Sequence, residues 1–291
     1  METRWLYTTS ENFTALREAS KDTCILPIGC VEKHGLHLPL GTDIFMPSHL
    51  AYLASQLETV CVAPDFVFGD MPYRGKNLTP GTISLPFETE LLLLEQLCEE
   101  FARNGFKKII LLNGHGGNAD MLYTFIRKVE NSPHDYEPVM MGVKSNVIKG
   151  IAAILKEQGS GAIPELNADD EALILKYFEE GFKDDHATFS ETAYVMGYAP
   201  ESVHMERLGI ESGKSRDLTK KYKEHGIYIR DGGWEFNFPN SYQGDDPYGV
   251  NERIAKAGLR LEAERLAKGI KFLKEDEDLI KWHNERWEKQ I

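Results

Sequence analysis

Apolar runs and helical repeats alternate along the first half of the chain. "TCILPIG" (23–29) is a short apolar run closed by proline and glycine, and it predicts a buried strand. "PSHLAYLASQLE" (47–58) spaces Leu50, Leu53, Ala54 and Leu57 at helical intervals and predicts a helix opening near Pro47. "TVCVAPDF" (59–66) predicts a second strand. "ETELLLLEQLCEEFARNG" (88–105) predicts a helix with acids in its first turn and Gly105 as its stop. "KKIILLN" (107–113) predicts a buried strand, "ADMLYTFIRKVE" (119–130) the helix after it, and "PVMMGV" (138–143) a further strand. "NADDEALILKYFEEGF" (167–182) reads as a helix, "ETAYVMGYAPESV" (191–203) begins strand-like and ends at a proline, and a last helix covers about 251–274.

Strands alternating with helices predict βαβ units and a mainly parallel sheet covered on both faces, an α/β fold. The stretch 204–250 breaks the pattern. It is polar and rich in glycine and aromatics, and contains "RDGGWEFNFPNSYQGDDPYG". That is long for plain loop, so it is expected to be functional or partly structured. No internal repeat, low-complexity tract or linker stands out, and one domain over 1–291 is expected.

Composition narrows the partners. A net charge of -13 over 291 residues argues against nucleic acid or an anionic membrane as the main partner and leaves small substrates open. Cys24, Cys30, Cys61 and Cys98 form no C-x-x-C pair and are expected as buried free thiols. The N-terminal "METRWLYTTSENF" lacks a basic region followed by an apolar run, and no stretch approaches the length of a membrane span. A reducing cytoplasm is the expected compartment.

Three clusters carry candidate chemistry. In "GCVEKHGLHLPLGTD" (29–43), Glu32 and His34 follow a predicted strand and share one side of an extended segment. Gly35, Pro39 and Gly41 can turn the chain so that Asp43 converges on them. One histidine with two carboxylates suits zinc, manganese or iron(II), and a hydrogen-bonded polar loop accounts for the stretch as well. The second cluster is "NGHGGN" (113–118), at the carboxyl end of a strand, where ligands bind in open α/β sheets. Its glycines leave His115 as the only large side chain in the centre of the turn. The third is "HATFSET" (186–192), with His186 and Glu191 five residues apart. There a histidine can serve as general acid, and a carboxylate can bind metal or orient the imidazole; exposed polar residues between two elements explain the spacing too. His37 is expected to support the site without binding metal. His49 falls on a predicted helix, and His134, His204, His225 and His283 show no obvious partner.

Taken together and in this order, the clusters resemble the creatininase family of metal-dependent hydrolases. "LPIGCVEKHGLHLPLGTD" is similar to the family's first metal motif, "TPGTISL" (79–85) to its P-G-T segment, "NGHGGN" to its strand-end histidine motif and "HATFSET" to its H-A-x-x-x-E-T segment. "QGDDPYGVNERIAKAG" (243–258) is a looser match to its late G-D-P region. The resemblance implies a three-layer α/β/α sandwich, a homo-oligomer (often a hexamer) and two divalent ions per subunit, zinc first, with manganese or iron as alternatives. Carried over position by position, Glu32, His34, Asp43 and His115 would bind metal, with Asp43 bridging both ions. The family's enzyme for creatinine has a glutamate two residues after the strand-end histidine. Gly117 stands there in this chain, so Glu191 is the expected remaining ligand. His186 would be the general acid/base, with Glu191 bound to the metal or orienting it.

The implied reaction is attack on a carbonyl by a water acidified between the ions. Two departures bear on the substrate. The stretch "FKDDH" lacks the tryptophan expected before the H-A histidine, and "GDMPYRGKNLTPGT" replaces a smaller, histidine-containing version. Arg74 and Lys76 would bring positive charge to the pocket mouth, with Thr82 and Ser84 also at the substrate, or would be ordinary solvated loop residues. The expected function is hydrolysis of a small cyclic amide other than creatinine. The alternatives are carbon–carbon hydrolysis of a cyclic keto-polyol such as a keto-inositol, and a non-enzymatic metal-binding protein.

Overall fold

Four parallel strands make one sheet in the computed structural model, which describes residues 1–71, 79–143, 146–229 and 232–288. In chain order the elements are α1 (Ser10–Ala19), β1 (Thr23–Ile28), α2 (Thr42–Leu57), β2 (Cys61–Val62), α3 (Phe87–Arg103), β3 (Lys108–Asn113), α4 (Asn118–Val129) and β4 (Glu137–Gly142). Then come α5 (Val147–Gln158), α6 (Ala168–Glu180), α7 (Phe189–Tyr198), α8 (Lys220–Glu224), α9 (Gly232–Asn237), α10 (Glu252–Glu275) and α11 (Asp278–Glu288). The strand order is β2-β1-β3-β4, with Thr23 opposite Lys108 and Ile28 opposite Asn113.

Successive residues on a strand point to opposite faces, and the two central strands use this to build two cores. Ile25, Ile110 and Leu112 pack with α2, α5, α6, α7 and α10 on one side. Cys24, Leu26, Ile28, Ile109 and Leu111 pack with α1, α3 and α4 on the other. Both faces are therefore covered, and the architecture is an α/β/α sandwich. The chain leaves β1 for β2 on one side and β3 for β4 on the other. The crevice between the carboxyl ends of β1 and β3 is thus the topological switch point, where such sheets bind ligands.

The helix expected to open at Pro47 starts at Thr42, with Pro47 inside it. Proline has no N–H, so the Asp43 carbonyl loses its usual helical partner. The strand ends close on that turn through two glycines. A Cβ on Gly29 would stand 2.2 Å from the Asp43 carbonyl oxygen, and one on Gly114 2.6 Å from the same atom. Any side chain at either position would push Asp43 away from the sheet.

Other expectations change as well. The strand read in 59–66 is only Cys61–Val62, plus a single bridge from Phe66 to Ile28. The strand-like start of 191–203 is α7, a helix. Asp184 explains it: its carboxylate accepts from the Ser190 N–H (2.9 Å) and the Thr188 hydroxyl (2.9 Å) at the helix start. β-branched and aromatic composition yields to that context. Helices α1, α5 and α11 have no counterpart among the expected elements. The 204–250 segment is partly structured, holding α8 and α9. His283, expected to lack a partner, is buried and holds α11 against β4. Its Nδ1 lies 2.6 Å from Glu137 Oε2, and its Nε2 donates to the His134 carbonyl at 2.7 Å. All four cysteines are free and buried. Among the described residues no helix is long and apolar enough to cross a membrane.

Candidate metal centre

Four pieces of chain meet at the switch point. The loop after β1 brings Glu32 and His34, tied back by Glu32 N–H to the Leu40 carbonyl (3.1 Å) and Gly35 N–H to the Ser241 carbonyl (3.0 Å). The first turn of α2 brings Asp43. The β3–α4 turn brings His115, fixed by a side-chain network. Asn113 Oδ1 accepts from the His115 N–H (3.1 Å) and from Asn118 Nδ2 (3.0 Å), while Asn118 Oδ1 accepts from the Asp70 N–H (2.8 Å). The turn before α7 adds His186, and the first turn of α7 adds Glu191. Ala187 lies between them in the left-handed region (φ 62), and its N–H donates to Glu191 Oε2 at 2.5 Å. A non-glycine held there is a locally strained arrangement.

The two oxygens of Asp43 point to different histidines. Oδ1 is 3.1 Å from His34 Nε2, which is also 3.6 Å from Glu191 Oε2. Oδ2 is 2.8 Å from His115 Nδ1, which is also 2.9 Å from Glu32 Oε1. His186 Nδ1 sits 3.9 Å from the same Glu32 oxygen, and its ring stacks on His34 with centroids 4.1 Å apart. Glu32, His34, Asp43, His115 and Glu191 are all buried.

Each imidazole spends one nitrogen on a backbone carbonyl. His34 Nδ1 faces the Glu32 carbonyl (3.3 Å), His115 Nε2 that of Asp70 (3.1 Å), and His186 Nε2 that of Lys33 (3.0 Å). A carbonyl only accepts, so that nitrogen carries the proton and the other is left for the centre. In the metal-free protein this crowding shifts every group. Against the cost of burial, Asp43 and Glu191 push the His34 imidazole up to about 10. His115 is raised well above its ordinary value as well, where burial is outweighed by the Cys30, Glu32 and Asp43 side chains. Burial alone would raise Glu32, but His115 and His186 hold it below its ordinary value. Asp43 is held well below the carboxylate range against burial by His34 and His115. Burial lifts Glu191 to about 8. Burial, with His34, pushes His186 down to about 4.

The donor set fits a divalent cation. Glu32 Oε1 is buried and has no hydrogen-bond partner, although His115 Nδ1 lies beside it. One nitrogen faces two carboxylate oxygens within 2.9 Å and can offer a proton to only one of them. A cation between the three would satisfy all of them. Candidate donor groups are Cys30, Glu32, Asp43 and His115; His34, Asp43 and Glu191; and Glu32, His34 and His186.

A cavity of 410 Å³ opens over these donors, lined also by Met46, Asp185, Tyr194, Trp234 and Gln243. Trp234 stands edge-on to His186 with centroids 5.2 Å apart. Its Nε1 donates to the Gln243 side-chain oxygen, and the Gln243 amide donates in turn to Asp185. The tryptophan that lines this cavity comes from the 204–250 segment, and "FKDDH" supplies none. Sequence reasoning missed Trp234, Gln243 and Cys30; aromatics clustered in "GGWEFNF" were the available signal for the first. A second cavity of 320 Å³ adjoins the first at Glu32, Met71 and Trp234 and is lined by Thr79, Thr82, Arg216, Phe238 and Ser241, with Glu235 among them. Thr82 therefore borders the site. Ser84 is set back, its hydroxyl donating to the Met71 carbonyl at 2.8 Å. Arg74 and Lys76 lie outside the described residues. His37 is buried, 3.3 Å from the Thr192 hydroxyl, and belongs to none of the candidate donor groups.

The family model described as creatinine amidohydrolase (creatininase) matches residues 7–270. The chain is 24% identical to the creatinine amidohydrolase of Pseudomonas putida over 215 residues, 69% of this chain and 73% of that protein. It is 38% identical to the 3-dehydro-scyllo-inosose hydrolase of Thermotoga maritima over 104 residues, 35% of this chain and 33% of that protein. In three dimensions it superposes on a glutamate-to-glutamine mutant of creatininase, Zn-Zn type, with TM-score 0.70 and 18% identity over 95% of this chain and 100% of that one. The last match shows the shared fold.

Proposed function

The chain belongs to the creatininase family of metal-dependent hydrolases, and we propose that it hydrolyses a small cyclic amide other than creatinine at a centre of two divalent ions. The observation that supports this best is the division of Asp43 between two histidines. Glu32, His115 and one oxygen of Asp43 would hold one ion, and His34, Glu191 and the other oxygen of Asp43 would hold a second. Zinc is the first choice, with manganese or iron as alternatives, because carboxylates and imidazoles serve all three. Divalent ions in such a centre acidify a water and polarise a carbonyl.

The protein's own residues then orient and move protons. His186 keeps its Nε2 proton on the Lys33 carbonyl and is held neutral by burial, so Nδ1 accepts a proton and returns it to the departing nitrogen. The Gln243 and Asp185 contacts hold the Trp234 ring upright as a wall for the substrate. Thr82 offers a hydroxyl from the adjoining cavity. Ser84 has committed its proton and can only accept. The unit is proposed to be a single domain that assembles as a homo-oligomer, with a hexamer as the first candidate, in the cytoplasm. The non-enzymatic alternative is set aside, because this is a family of hydrolases.

A second reading has its own support. The adjoining cavity mixes hydroxyls (Thr79, Thr82, Ser241), aromatic faces and the Arg216 guanidinium, a lining suited to an oxygen-rich ring. The match to a 3-dehydro-scyllo-inosose hydrolase points the same way. This reading is carbon–carbon hydrolysis of a cyclic keto-polyol. Turnover of a panel of cyclic amides and keto-inositols separates the two. Release of ammonia or an amine supports the amide reading, and turnover of a keto-inositol without either replaces it.

A further inference from the structure

We infer that the Cys30 thiol is a metal ligand, a sulfur donor beside the carboxylates and imidazoles, and that it biases the Glu32–Asp43–His115 side of the centre toward thiophilic ions. This rests on the metal centre proposed above and adds a donor to it.

Cys30 follows β1 and is fully buried, with Sγ 3.3 Å from Asp43 Oδ2. It belongs to the one four-membered donor group among the described residues, in which the donor atoms of Cys30, Glu32, Asp43 and His115 all lie within 4.8 Å of one another. A tetrahedral ion with bonds of about 2.0–2.3 Å sets its donors roughly 3.3–3.6 Å apart. The Sγ–Oδ2 distance of 3.3 Å already matches, and the two His115 contacts at 2.8 and 2.9 Å need only a small opening. Independently of the cysteine, the buried Glu32 Oε1 has no hydrogen-bond partner and points into the same group. The thiol also meets the His115 side chain and the Met71 thioether, the latter at 3.6 Å. Cys24, Cys61 and Cys98 sit in the apolar core shared by α1, α3 and α4, so they do not compete.

On coordination the S–H bond breaks, a sulfur–metal bond forms and the proton leaves through the open cavity. No electron changes hands. A thiolate is soft, so zinc and cobalt gain over manganese.

Cobalt(II) tests this on the full-length protein, with cobalt content measured on the same sample. Cobalt-loaded wild type should show visible d–d bands and, in the near ultraviolet, thiolate-to-cobalt charge transfer. Cys30→Ser should lose the charge-transfer band and keep the visible bands, and Cys98→Ser should keep both. The preference for zinc over manganese should fall about 10- to 100-fold in Cys30→Ser. Wild type with visible bands but no charge-transfer band overturns the sulfur ligand and leaves the carboxylate–histidine centre standing. Failure to bind cobalt at all overturns both.

Discussion

Each histidine of the centre donates one ring proton to a main-chain carbonyl, so the backbone fixes which nitrogen a cation meets. The cost appears in the metal-free protein, where His34 is pushed up to about 10 and His115 is raised too. Both are therefore protonated at neutral pH and must give up a proton when metal binds. Metal loading at pH 7 should release protons, and apparent affinity should rise with pH toward the His34 titration near 10 and fall as pH drops. Calorimetry in buffers of different ionisation enthalpy reads this directly; a heat independent of buffer would contradict it. His186 differs from its neighbours, because burial pushes it down to about 4 and its free nitrogen stands 3.9 Å from Glu32. His186→Asn should lower kcat by about 10²–10⁴-fold with metal content unchanged. A parallel loss of metal would make His186 a ligand instead.

At the scale of elements, the centre depends on how closely the ends of β1 and β3 approach the first turn of α2. Gly114→Ala would place a methyl group 2.6 Å from the Asp43 carbonyl oxygen and 2.6 Å from the Pro47 ring. It should cost about 1–3 kcal/mol and weaken metal binding as well. Urea denaturation and metal titration check both, and a stable variant with full affinity would show that this contact does not set the position of Asp43. The strand–helix alternation and the strand-end position of His115 were legible in the sequence because period and glycine placement encode them locally. The start of α2 was not, since Pro47 looks like a first-turn residue and the room for its ring comes from Gly114, distant in sequence. Nor was α7, whose start is set by Asp184 capping Ser190. Trp234 was hidden for a related reason: it sits in a segment without periodicity and reaches His186 only through the tertiary fold.

For the whole molecule, the sheet separates the site from its anchorage. The candidate donors gather at the carboxyl ends of β1 and β3, while α11 docks at the opposite end, where His283 meets Glu137 at the start of β4. His283→Ala would leave the buried Glu137 carboxylate with Arg286 at 3.8 Å as its remaining ion-pair contact. It should lower stability by about 1–3 kcal/mol, read as a lower denaturation midpoint, with metal affinity unchanged. Lost affinity would show that the two ends are coupled. The central claim is that Asp43 joins two ions in one centre. It is tested most directly by counting divalent ions per chain in wild type and Asp43→Asn by elemental analysis. The account predicts two in wild type and fewer than one in the variant. A single ion in wild type, retained by Asp43→Asn, would contradict it.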